Sequence, residues 1–105
     1  MDLIADIGAT HSRCALVDTD GLTLRISVYQ NADFGGLGIL LEDFIGEDDV
    51  ERAALAIAGP IAGDEISMLN IDWRFDRRQM ARALKLGELL VLNDFEALAH
   101  ALPSR

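Results

Sequence analysis

Cysteine is all but missing from these 105 residues, with Cys14 standing alone. No internal disulfide can form, and with only His11 and His100 as histidines, far apart along the chain, no cluster has zinc-ligand spacing. Cys14 therefore reads as a packed residue of the second strand. Proline occurs twice, too rarely to break up regular structure. Basic side chains are few: nine Lys and Arg stand against eighteen Asp and Glu, and the net charge of −9 repels a phosphate backbone. No basic cluster interleaved with aromatics offsets it, so nucleic acid is not an expected partner. Long apolar runs are absent too. None reaches the roughly 18 residues needed to cross a bilayer, and Met1 leads into Leu3-Ile4-Ala5 without the basic and apolar regions of a secretory signal. The expectation is a soluble, cytoplasmic chain with no membrane partner, and its length suits one domain.

Half of the residues are hydrophobic, and they fall in short runs. Residues 3–5 and 13–17 read as strands around Gly8-Ala9-Thr10, and Thr19-Asp20-Gly21 turns the chain into a third strand at 22–29, completing an antiparallel meander. Phe34, Leu37, Leu40, Leu41, Phe44 and Ile45 recur at helical spacing and predict a helix that ends near Gly46 and packs on the sheet. Residues 53–58 are almost all apolar, as expected of a central parallel strand buried on both faces. Residues 61–69, interrupted by Gly63-Asp64, predict a small hairpin. Asp76-Arg77-Arg78-Gln79 has the spacing of a capping box and opens a helix over 77–84. Residues 89–92 form the next buried strand, and 95–101 a last helix stopped by Leu102-Pro103. The acidic stretch Glu42-Asp43 and Glu47-Asp48-Asp49-Glu51 reads as a solvated helix end and loop, and Trp73 as core.

Two motifs carry chemistry. Asp6-Ile7-Gly8-Ala9-Thr10 is a small-residue turn after an apolar strand, able to bring backbone N–H groups and a hydroxyl to a phosphate while the acid faces its metal ion. Asn93-Asp94 follows the apolar run 88–92, at the carboxyl end of a strand, where open α/β sheets place their ligand crevices. Asn93 offers a donor and an acceptor to a hydroxyl that is itself both. Asp94 can accept a proton late in a transfer whose catalysis lies mostly in positioning and charge stabilisation. Together they point to phosphoryl transfer. The same pair can also cap the helix that follows.

These motifs, with Ala56-Ile57-Ala58-Gly59-Pro60-Ile61 and with Asn70 ahead of Trp73 and Phe75, resemble the N-terminal lobe of the bacterial glucokinase family in the family's order. The resemblance implies an α/β, ribonuclease H-like (actin-like ATPase) lobe: a mixed five-stranded sheet with an antiparallel three-strand meander and flanking helices. It implies a glycolytic parent enzyme that passes the γ-phosphoryl group of ATP to the 6-hydroxyl of glucose with Mg2+. Asp6 would help hold magnesium through water, and Gly8, Ala9 and Thr10 would line the phosphate loop. Asn93, Asp94 and Asn70 would meet the sugar, with Asp94 the catalytic base. Ala9 replaces the family's second glycine, adding a methyl group that disfavours positive φ where backbone approaches phosphate, and His11 stands where Asn is common. Residues 1–105 would be the N-terminal lobe of a longer kinase, whose parent could be a homodimer. Without its C-terminal lobe the chain should lack appreciable activity and could self-associate through an uncovered apolar face. Another hexose kinase, a phosphatase of the same superfamily, and a non-catalytic lobe that binds sugar or a partner protein remain alternatives.

Overall fold

In the computed structural model, which describes residues 1–57, 61–63, 65–67 and 73–93, the apolar runs become the strands of one twisted sheet. β1 (Asp2–Ile7), β2 (His11–Val17) and β3 (Thr23–Gln30) form the antiparallel meander. After helix α1 (Leu37–Ile45), strand β4 (Arg52–Ile57) returns parallel to β1. A second, three-stranded antiparallel sheet comprises β5 (Ile61–Ala62), β6 (Glu65–Ser67) and β7 (Arg74–Asp76). Helix α2 (Arg77–Ala83) then leads to β8 (Glu88–Leu92), parallel to β4. The main sheet has the order β3-β2-β1-β4-β8, the mixed five-stranded arrangement expected.

Register divides the main sheet into two faces. Arg25, Leu16, Leu3, Ala53 and Leu89 form a cross-strand row on one face. Leu3, Ala5, Ile7, Cys14, Leu16, Leu55 and Ile57 pack there with Leu37, Leu40, Leu41, Phe44 and Ile45 of α1. Ile26, Ala15, Ile4, Ala54 and Leu90 share a row on the other face. There Leu24, Ile26 and Val28 of the edge strand are 53%, 49% and 62% exposed, and no described helix covers them.

Phe34 lies outside α1, contrary to the helical pattern. Gly36 is the N-cap in an extended conformation, with φ −172°, because two successive glycines make poor helix interior. Phe34 instead packs edge-to-face on Tyr29, with ring centroids 5.3 Å apart. The other end is as expected: Gly46, at φ 58°, donates its N–H to the Glu42 carbonyl. Arg25 reaches the carbonyl of Phe44 and pairs with Asp48 at 2.8 Å, so one residue of the acidic stretch ties α1's end to the sheet. Trp73 is buried in the core.

Cys14 is fully buried, and burial pushes its thiol up to about 12. Folding thus favours the neutral thiol. Its stabilising contribution is complete below the ordinary thiol value of 9.0 and fades as pH rises toward about 12. Alkylation of Cys14 at pH 9.0, where a free thiol is half ionised, should track unfolding. Rapid labelling of the folded chain would contradict its burial.

Candidate functional site

The parallel strands β1, β4 and β8 end at the same edge of the sheet, and of the sequence-predicted residues Asp6, the Gly8-Ala9-Thr10 turn and Asn93 lie there. Asp6 is exposed near the carboxyl end of β1. It lies in register with Arg13 on one side and Ala56 on the other, and Ala56 with Leu92. Asp6 is therefore two strand spacings, about 10 Å, from Leu92, and exposed Asn93 is the next residue. Asp94 and Asn70 lie outside the described residues.

The turn between β1 and β2 is held from inside. Gly8 donates its N–H to the His11 carbonyl at 2.9 Å. A Cβ at Gly8 would sit 2.8 Å from that oxygen, so the position requires glycine for space. Ala9 takes an ordinary backbone conformation: among the described residues Lys85 is the non-glycine at positive φ. The expected conflict over φ at Ala9 does not arise. Among the described residues, none accepts from the Ala9 or Thr10 N–H. Thr10 is exposed, so this loop can offer backbone donors and a hydroxyl to an anion.

Asn31, the residue that organises this turn, has no part in any motif. It begins a single 3-10 turn after β3 and is 1% exposed. Its Nδ2 donates to the Gly8 carbonyl at 2.8 Å and its backbone N–H to the Thr10 carbonyl at 2.8 Å. The buried Ser12 hydroxyl donates to Asn31 Oδ1 at 2.6 Å. The available sequence signal was weak: a polar residue at a strand end usually reads as a turn former. Arg13, exposed and in register with Asp6, also faces this edge.

Among the described residues no three His, Cys, Asp or Glu side chains gather as a metal cluster. A single exposed carboxylate such as Asp6 nevertheless fits magnesium, which keeps several waters and takes one or two carboxylates together with substrate phosphates.

The Glucokinase family model matches residues 3–105. The bifunctional protein glk of Paraburkholderia xenovorans is 43% identical over 104 residues, covering 96% of this chain and 16% of that protein. A glucokinase from an Antarctic psychrotroph superposes with a TM-score of 0.84 at 31% identity, covering 99% of this chain and 35% of its own. The glucokinase of Balamuthia mandrillaris, solved in complex with glucose, has a TM-score of 0.60 at 25% identity over 90% of this chain and 29% of its own. The chain thus spans about a third or less of the relatives it matches. The five-stranded mixed sheet is the core of an actin-like sugar-kinase fold, and the chain belongs to the glucokinase family.

Proposed function

We propose that residues 1–105 are the N-terminal lobe of a longer ATP-dependent glucokinase that transfers the γ-phosphoryl group to the 6-hydroxyl of glucose. The observation that carries this reading is the shared strand edge. Asp6, just ahead of the loop that carries the Ala9 and Thr10 donors, stands about two strand spacings, ~10 Å, from the end of β8, where Asn93 begins the second motif. That separation suits two substrates meeting head to tail. In this reading Gly8, Ala9 and Thr10 line the phosphate loop, with Ala9 and Thr10 supplying the donors to the ATP phosphates, and Asp6 holds the waters of Mg2+. Bound magnesium would screen the phosphate charge during transfer. Asn93 and Asn70 hold sugar hydroxyls, and Asp94 orients the 6-hydroxyl and receives its proton. Such an enzyme works on the cytoplasmic ATP pool. Among the described residues no helix is long and apolar enough to cross a membrane.

The test is to assay the complete protein that carries this chain for glucose 6-phosphate formation from ATP, with mannose, fructose and N-acetylated hexoses in parallel. Preferred turnover of glucose is expected. Preference for another hexose would reassign the substrate, and binding of sugar without transfer would favour a non-catalytic lobe. The exposed row Leu24, Ile26 and Val28 should make the isolated 105-residue chain self-associate, and sedimentation should show Ile26→Lys shifting it toward monomer.

A further inference from the structure

We infer that Asn31 is a positioning residue for nucleotide binding, which sets the direction of the Ala9 N–H; this rests on the kinase reading of the loop. The argument begins with the amide plane. In a trans peptide the carbonyl and the following N–H point in opposite directions, and among the described residues no peptide bond is cis. Asn31 Nδ2 holds the Gly8 carbonyl at 2.8 Å from the buried side. The N–H of Ala9, at the other end of the same peptide, is therefore turned away from Asn31, and no described residue accepts from it.

The side-chain orientation of Asn31 is itself fixed. Its Oδ1 can only accept, and Ser12 supplies the proton at 2.6 Å. Nδ2 is thereby committed to Gly8. The Asn31 backbone N–H restrains the Thr10 carbonyl at 2.8 Å, so one buried residue grips the loop on both sides of Ala9. Phosphate binding by backbone donors depends on their being aimed before the ligand arrives. Asn31 performs that aiming without touching the nucleotide.

Asn31→Asp tests this, because aspartate keeps the size of the side chain but presents oxygen to the Gly8 carbonyl in place of a donor. In the complete protein, steady-state kinetics should show the KM for ATP rising roughly 10-fold, the scale of one lost charge-assisted hydrogen bond. The KM for glucose should stay within about twofold, because the sugar motif begins two strands away. Ser12→Ala should move the ATP KM in the same direction by a smaller factor, and it supplies the test if Asn31→Asp does not fold. Equal loss toward both substrates, or an unchanged ATP KM in a folded variant, would overturn the assignment. An unmodified protein that phosphorylates no sugar would instead remove the kinase reading, and this inference with it.

Discussion

Asp94→Asn in the complete protein should lower kcat for glucose phosphorylation by about 10²–10⁴-fold, the usual contribution of a positioned general base. Asparagine keeps the shape of aspartate and can still hydrogen-bond a sugar hydroxyl, so the KM for glucose should change far less. It cannot take up the proton that the 6-hydroxyl gives up as the new P–O bond forms. A carboxylate is a weak base toward a free hydroxyl, but the proton moves late, once the attacking oxygen has become acidic. A loss confined to kcat would identify an interaction made mainly in the transition state. A variant with unaltered kcat would remove Asp94 from the chemistry and leave it as a cap for the helix expected after it.

The elements that were legible in the sequence are those whose signals are local. The meander could be read from three apolar runs and two turns, and the first half of the capping box is realised, the Asp76 side chain accepting from the Gln79 N–H at 3.0 Å. The Asp6 to Thr10 loop could be read because its parts are contiguous. What was missed depends on contacts distant in sequence or on too few residues. β7 is three residues, Arg74–Asp76, too short to show an alternating pattern, and it forms by pairing with β6. Helix α2 ends one residue earlier than expected, and Lys85 takes the left-handed conformation at φ 58° usually left to glycine or asparagine. β8, expected to be buried, is so only at Leu89, since among the described strands it lies at the sheet's edge. Asn31 was invisible for a related reason. Its partners Ser12 and Gly8 lie 19 and 23 residues away, and only the pairing of β2 with β3 brings them together.

Gly8→Ala should be the most damaging small substitution in the loop, and Ala9→Gly one of the least. At Gly8 the difficulty is space. A Cβ would lie 2.8 Å from the His11 carbonyl oxygen, and that same oxygen accepts the Gly8 N–H at 2.9 Å. Backbone, unlike the tip of a flexible side chain, cannot swing aside. Relief requires opening the β1–β2 turn, with the Asn31 bond to the Gly8 carbonyl lost in the process. Overpacking of this kind costs about 1–3 kcal/mol, and each kcal/mol lowers the melting temperature of a domain of this size by about 4–8 °C. ATP affinity should fall with it. At Ala9 the backbone conformation is ordinary, so the methyl group imposes no strain, and glycine would chiefly loosen the unfolded chain at a cost of about 0.4–1 kcal/mol. Thermal melts and ATP titrations of the two variants separate the accounts. A large loss at Gly8 with little change at Ala9 means that loop shape is set by the close approach to His11. A gain in ATP affinity from Ala9→Gly would mean that the alanine had been obstructing phosphate, and would favour the reading of this lobe as a binding module without catalysis.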